Sequence, residues 1–277
     1  MLDSVYNSSY KVSVIAIDNA STDDSISILQ SYPQVQLIKS DLNLGFGKAN
    51  NIGIKLALSQ NAAAVFLLNQ DTWIFEDTIG NLVNHFNENQ NFGIVSPMHY
   101  STNEIDLDTN FDTYLNRKKT KPVNLSLIEV PFVNAAAWLV SKQCFEKVGL
   151  FEPFFNHYGE DRNFCDRVHF HDFKIGIVTN SKIVHDRIVT RNFTKDILQS
   201  QYKIWNELIN INNSLLKSFF IGFKNIFGLP KFFYSTYGIL KSMQLLYNLL
   251  LFYFKSVFNI KAVNSIRNSS KQAKNGW

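Results

Sequence analysis

Cysteine is nearly absent from this chain. Cys144 and Cys165 are the only two in 277 residues. That excludes a disulfide scaffold and a four-cysteine zinc site, and it suits a reducing compartment. Six prolines and twelve glycines exclude collagen-like and low-complexity chains. The opening MLDSVYNSSYKV lacks a basic-then-apolar segment, so no export signal is expected. No G-x-G-x-x-G follows an expected strand, which argues against a dinucleotide-dependent oxidoreductase. A glycine-rich loop bearing Lys or Arg after the first strand, expected of a nucleotidyltransferase, is also missing.

Acidic residues are absent from the far end. No Asp or Glu follows Glu207, whereas nine basic residues do: Lys217, Lys224, Lys231, Lys241, Lys255, Lys261, Arg267, Lys271 and Lys274. That leaves 18 basic against 23 acidic residues before that point, a net of −5 beneath an overall +4. An acidic body is a poor nucleic-acid surface, because phosphate contacts need clustered Lys and Arg. A phosphorylated ligand would need a cation to offset the repulsion.

What is present builds a core: 45% hydrophobic and 18% charged residues. At roughly 150 residues per domain the chain is one large domain, or one with an appendage. The basic tail is rich in Phe, and its longest uncharged run is the thirteen residues Ser242–Phe254. That is short of the ~20 needed to cross a bilayer. Two readings stand for residues 215–277: helices lying in the interface of an anionic membrane, or a helical subdomain that packs on the body or a second subunit.

Along the body, short apolar runs alternate with helical segments. Val12–Ile17, Val35–Lys39 and Ala63–Leu68 are expected strands, with helices over Ile26–Gln30 (capped from Ser21 to Asp24) and Ala49–Leu58. This order implies a parallel sheet with helices on its faces, and ligands beyond the strands' carboxyl ends. Asp18 and Asp71 fall at such ends. Asp18 suits a base edge or ribose, with Asn19 shaping the turn, although capping the next helix is an equal reading. Asn69-x-Asp71 puts two oxygen-bearing side chains on one side of an extended segment. Mg²⁺ or Mn²⁺ would be content with those and substrate phosphates.

The densest segment runs from Phe132 to Arg187. Glu160 and Asp161 open an expected helix, where they either cap it or act on a proton. Strands are expected at Ile175–Val178 and Lys182–Val184, followed by His185, Asp186 and Arg187.

The strings VIAIDNASTDDS, NLGFGKANNIGIKLAL, VFLLNQDT and VNAAAWLVSKQCFEKVGLFEPFFNHYGEDRNFCDRV, then HD, resemble the family 2 glycosyltransferases. The likeness is to the rhamnosyltransferase-like branch that builds bacterial surface polysaccharides, and it runs from about Leu2 to Arg191. It implies a GT-A fold, a mostly parallel mixed sheet flanked by helices over 1–192, with a helical tail over 193–277. It implies inverting transfer from a nucleoside-diphosphate sugar to a saccharide or lipid-linked acceptor, in the cytoplasm at the inner face of the membrane. Carried over residue by residue, it implies that Asp18 and Asn19 lie at the base and that Asn43, Gly45 and Asn51 line the nucleotide pocket. Asn69 and Asp71 would form the metal motif, with His185 near the metal. Asp161, paired with Glu160, would be the general base. Asn163 stands where a second Asp is common. Arg187 and Arg191 could add positive charge near the diphosphate.

One departure concerns the start. The family's opening apolar strand is not found, and LDSVYNSSYKV resembles the end of the helix that follows it. By that resemblance some 25–35 residues of the family's pattern are expected to be missing at the start, which would put several kcal/mol at stake in a domain whose net stability is only ~5–15 kcal/mol. The expectation is a sheet that lacks one internal strand. An inactive homologue that scaffolds partners at the membrane is the alternative function.

Overall fold

The computed structural model describes residues 1–115, 120–187 and 192–272. The chain opens with α1 (Leu2–Tyr6), β1 (Ile15–Asn19), α2 (Ser25–Gln30), β2 (Gln36–Ser40), α3 (Phe46–Ser59) and β3 (Ala64–Leu68). The helix at the start agrees with the reading of LDSVYNSSYKV. Asp23, within the expected capping run, accepts the Ser25 N–H at 3.0 Å.

β4 (Thr72–Ile74), α4 (Thr78–Glu88), β5 (Phe92–Tyr100), α5 (Thr109–Leu115), β6 (Lys121–Pro122) and β7 (Leu127–Glu129) follow. Then come β8 (Ala137–Ser141), α6 (Lys142–Val148), α7 (Glu160–Phe170) and β9 (Lys174–His185). A seven-stranded sheet has the order β3-β8-β5-β9-β7-β6, with β4 on β9. β1 and β2 pair only with each other, as a separate parallel ribbon.

Two expectations are corrected. The continuous parallel β-α-β-α-β sheet is broken between β1 and β3, which belong to different sheets. β3 pairs antiparallel with β8 instead. The sheet is mixed as expected, but parallel pairing among the described residues is confined to β1–β2 and β5–β9. Second, the two strands expected over 175–184 are one strand, β9. Its pairing with β5 jumps from Pro97–Val178 to Met98–Lys182, a bulge that absorbs the polar residues between. The Ser181 hydroxyl donates to the Thr78 carbonyl at 2.9 Å, and the Thr78 hydroxyl to the Lys182 carbonyl at 2.6 Å. The start of α4 thus holds the bulge in line.

The main core lies between the sheet and α3, α6 and α7, around Trp138, Phe145, Phe151 and Phe164. A second core forms among α8 (Phe193–Ile209), α9 (Leu215–Phe258) and α10 (Ile260–Lys271), together with Phe155. α9 is two helices joined at a kink, where Gly238 has φ 73°. The Tyr253 hydroxyl donates to the Phe219 carbonyl at 3.0 Å, so the two arms pack as a hairpin. Arg267 is buried and donates to the carbonyls of Leu208, Asn210 and Asn213. One of the tail's charges is therefore structural. Among the described residues, no helix is long and apolar enough to cross a membrane.

Candidate functional site

The expected residues fall at three corners: the end of β1 with the start of α3, the turn after β3 with the end of β9, and the start of α7. Asp18 is buried near the end of β1, and its Oδ1 accepts the Ser21 N–H at 3.4 Å. Asn19 builds the next turn. Its Oδ1 accepts the Leu44 N–H at 2.7 Å, and its Nδ2 donates to Asn43 Oδ1 at 3.1 Å and to the Gly45 carbonyl at 3.4 Å. Asn43 Oδ1 also accepts the Gly45 N–H at 3.0 Å. Asn19, Asn43 and Gly45 are thus one hydrogen-bonded unit. Gly45 has φ +80°, and a Cβ there would stand 1.6 Å from the Asn156 carbonyl oxygen. Only glycine lets the segment ahead of α7 lie so close to the start of α3.

Asn51 bonds the backbone of that segment with both polar atoms of its side chain. Its Oδ1 accepts the Phe151 N–H, and its Nδ2 donates to the Phe151 carbonyl, both at 2.9 Å.

At the second corner the chain leaves β3 through a tight turn. The Asn69 N–H donates to the Ala136 carbonyl, and the Thr72 hydroxyl donates to the Asn69 carbonyl. β4 then pairs with β9, which sets Thr72 opposite His185. The Asp186 N–H donates to the Asp71 carbonyl at 2.8 Å. His185 Nε2 comes to 3.4 Å from Asp71 Oδ2. Burial raises the Asp71 carboxyl, but the hydrogen bond and charge of His185, with Arg187, bring it below its ordinary value. Asp71 Oδ1 and His185 Nδ1 are buried without a hydrogen-bond partner.

His99, on β5, was not singled out by the sequence. It is fully buried, stacks on Phe111 at 4.4 Å, and lies 6.0 Å edge-on from the His185 ring. Its Nε2 is 3.0 Å from the Ser96 hydroxyl. Burial first, then the charges of His185 and Arg187, hold it well below the ordinary histidine value, so it is neutral. The only available signal was two polar residues, Ser96 and His99, in an otherwise apolar strand.

The third corner is the start of α7. Gly159 (φ +92°) precedes the helix, and its carbonyl accepts Asn206 Nδ2 from α8 at 3.0 Å. Glu160 is 4% exposed, lies against Gly47 of α3, and has Oε2 without a partner. Burial, then the neighbouring Asp161, push its carboxyl up to about 7. Asp161 Oδ1 accepts the Arg162 N–H at 2.7 Å. Burial raises Asp161 too, against the opposing charges of Arg162 and Arg187. Asn163 Oδ1 accepts from Arg167 Nε at 3.1 Å, and Arg167 also donates to the carbonyls of Val148 and Leu150. That position supports the segment after α6.

The charge of Arg187 contributes at the second and third corners, lowering Asp71, His99 and Asp161. Arg191 lies outside the described residues.

The donor set fits a divalent cation that substrate completes. Among the described residues no three His, Cys, Asp or Glu side chains form a cation cage. Asp71 and His185 offer two adjacent donors, and Asp71 has a buried, unpartnered oxygen. Mg²⁺-type sites often take one or two carboxylates and leave the remaining positions to water and phosphate.

Three comparisons bear on these corners. The family described as Glycosyl transferase family 2 matches residues 1–149, which covers Asp18 through Asp71 and stops short of Asp161 and His185. The low-salt glycan biosynthesis hexosyltransferase Agl10 of Haloferax volcanii is 25% identical over 236 residues, 82% of this chain and 73% of that protein. The dTDP-rhamnosyl transferase RfbF of Shigella flexneri is 28% identical over 181 residues, and the chain spans 59% of its length. Among solved structures, S. aureus TarS 1–349 superposes with a TM-score of 0.63 at 13% identity, covering 98% of this chain and 84% of that one. The Pyrobaculum calidifontis mannosyltransferase PcManGT, in complex with GDP-Man and Mn²⁺, gives 0.58 at 15% identity, covering 98% and 81%. The fold is GT-A.

Proposed function

Because the chain belongs to glycosyl transferase family 2, we propose that it transfers a sugar from a nucleoside diphosphate to an acceptor hydroxyl, with inversion, in the synthesis of a polysaccharide or glycolipid. The likeness to a rhamnosyl transferase favours rhamnose as the sugar. The observation that carries this reading is that Asp71, paired with His185, and Asp161 fall within the field of one guanidinium, that of Arg187.

In this reading Asp18 receives the nucleotide, while Asn19, Asn43 and Gly45 hold the wall beside it. Asn69, Asp71 and His185 would hold Mg²⁺ or Mn²⁺, which when bound offsets the charge of the diphosphate and of its departure. Asp161 takes the acceptor proton as the acceptor oxygen bonds the anomeric carbon. The bond to the diphosphate breaks, and its electron pair leaves with the phosphate. Burial raises Asp161's affinity for that proton. A positioned base of this kind contributes ~10²–10⁴-fold. Neutral His99 packs behind His185 and fixes its ring. The test is turnover of nucleoside-diphosphate sugars by the wild-type chain against Asp161→Asn, with donor binding measured beside it. Turnover that survives the substitution refutes the assignment.

The tail supports docking on an anionic membrane surface, at the cytoplasmic face. Leu216, Phe220, Phe227, Phe232, Leu240 and Phe258 of α9 are more than half exposed. Lys217, Lys224, Lys231, Lys241 and Lys255 are exposed beside them. Two copies meeting on this face would bring like charges together, whereas anionic lipid complements it. The separate core of α8–α10 supports a division into a catalytic unit, 1–192, and a helical unit, 193–277. The break between β1 and β3 favours one second reading, in which the chain as it stands binds donor poorly and acts as a membrane-associated scaffold.

A further inference from the structure

We infer that Asn206, on α8, is a positioning residue for Asp161: it holds the carbonyl of Gly159 and so sets where the start of α7 places the carboxylate. The inference deepens the reading of Asp161 as the base and rests on it.

The start of α7 has no side-chain cap of its own. Gly159 stands at the N-cap and offers no side chain to the helix's first N–H groups. Tyr158 has φ +75° and Gly159 φ +92°. A bulky residue holds the left-handed region only where its surroundings impose it. Those surroundings come from α8, where Lys195, Tyr202 and Asn206 are spaced to share one face. The Lys195 ammonium lies 5.0 Å over the Tyr158 ring. The Tyr202 hydroxyl accepts the Asn156 N–H at 3.4 Å. Trp205 stacks on Phe154 at 4.3 Å, and Phe155 is fully buried, edge-on to Tyr202 at 5.3 Å. The segment is also tied to α3, where the Phe46 N–H donates to the Asn156 carbonyl at 3.2 Å.

Asn206 is the contact that reaches α7 itself. The Gly159 carbonyl accepts both the Asn163 N–H, the first bond of the helix, and Asn206 Nδ2, each at 3.0 Å. A side chain at 159 would crowd this joint, with its Cβ 3.0 Å from Asn206 Nδ2. Packing alone does not explain the asparagine. It is 6% exposed and its Oδ1 has no partner. A buried orphan of that kind costs stability, and leucine would avoid it. What leucine lacks is the N–H aimed at the Gly159 carbonyl. Asp161 lies in the same first turn, so a shift of that carbonyl carries the carboxylate with it. Misplacing a reacting group by ~1 Å can cost ~10²-fold in rate. The helical unit is therefore more than an anchor, because it completes the catalytic unit.

The test compares Asn206→Leu with Asn210→Leu. Asn210 lies just past α8, and its Nδ2 donates to Asp166 Oδ2 at 3.1 Å. Its loss weakens the same seam farther along α7 and leaves the joint at Gly159 intact. The first readout is release of nucleoside diphosphate from nucleoside-diphosphate sugars with Mn²⁺, water standing in for the acceptor. Asn206→Leu should lower kcat at least about tenfold and keep KM for the donor within about twofold. Asn210→Leu should keep both at wild-type values. The second readout needs no turnover: exchange of the Asn163 amide should quicken at least about tenfold in Asn206→Leu and stay unchanged in Asn210→Leu. Asn206→Ala, which cannot overpack, should behave as Asn206→Leu does and replaces it if the leucine variant does not melt cooperatively. Unchanged kcat, a loss confined to KM, equal losses at 206 and 210, or an unchanged Asn163 amide overturns the inference. A wild-type chain that releases nothing from any donor refutes the reading of Asp161 instead, and the exchange then decides alone whether Asn206 holds the start of α7.

Discussion

Asn51 and Phe151 hold each other by a two-way hydrogen bond, side-chain amide to backbone, 100 residues apart in sequence. The pair ties α3 to the segment that leads into α7. In doing so it sets the distance between the turn at Asn43–Gly45 and the carboxylates at 160 and 161. An asparagine read from sequence as lining a nucleotide pocket has both polar atoms of its side chain bonded to the Phe151 backbone.

Replacing Asn51 with Leu should therefore lower stability more than it alters the chemistry of binding. Two half-buried backbone groups lose their partner, at ~1–3 kcal/mol for each group left unsatisfied. Urea denaturation should show a lower midpoint. Asn51→Asp should restore only the bond from the Phe151 N–H. A variant with unchanged stability and selectively lost donor affinity would return Asn51 to the ligand.

Asp71→Ala should abolish the cation dependence of donor binding. The carboxylate is half exposed, next to His185, with one oxygen unpaired. Titration calorimetry with a nucleoside diphosphate, with and without Mn²⁺, should lose the Mn²⁺-dependent component by at least about a hundredfold, by analogy with losses of ~10–100-fold for outer supporting groups alone. Equal affinity with and without Mn²⁺ in the wild type would remove the cation from the scheme.

Much of this site was legible because strand ends are marked by abrupt changes from apolar to polar residues. The runs ending at Asp18 and Asp71 mark β1 to within three residues and β3 to within one. The Glu160–Asp161 pair opens α7 as expected. Pairing partners were not legible. Whether β3 lies beside β1 or β8 depends on backbone hydrogen bonds among segments some 70 residues apart, and a strand's own composition carries no record of its neighbour. His99 escaped for a related reason. A single histidine in an apolar strand looks like any satisfied core residue, and only the fold sets it behind His185. Asp161 was legible as a carboxylate, but the desolvation that raises its proton affinity was not, since that depends on packing around the start of α7.

Glu160 should make the protein less stable as pH rises. Its carboxyl titrates at about 7 in the fold against an ordinary 4.5. The folded state thus binds the proton more tightly than the unfolded state. The associated stability is fully present below about 4.5 and lost as pH rises through about 7, on the order of 3 kcal/mol in all. Glu160→Gln removes that titration. The wild type should lose stability between pH 5 and 8 relative to Glu160→Gln in paired denaturation curves. Parallel curves for the two proteins would show that Glu160 is not desolvated in solution.

The tail is better tested by point substitutions than by deletion. α8 packs its Ile204, Trp205 and Leu208 against Leu245, Leu249 and Val263 of the last two helices. Removing residues 215–277 would open that core and confuse unfolding with release. Lys224 and Lys231 are exposed on the first arm of α9, near exposed Phe220 and Phe227, and are free to vary. Basic charges near an anionic surface are each worth ~1 kcal/mol. Reversing both, as Lys224→Glu with Lys231→Glu, should weaken vesicle binding by at least about thirtyfold. Phe220→Ser with Phe227→Ser should weaken it without changing its dependence on salt, because that pair removes apolar burial rather than charge. Both double variants should keep the wild-type melting temperature, since none of the four side chains is buried. The measurement is co-sedimentation with vesicles rich in anionic lipid, set against neutral vesicles. Equal binding to the two vesicle types, or wild-type binding by both double variants, would mean that this apolar, basic face serves a protein partner.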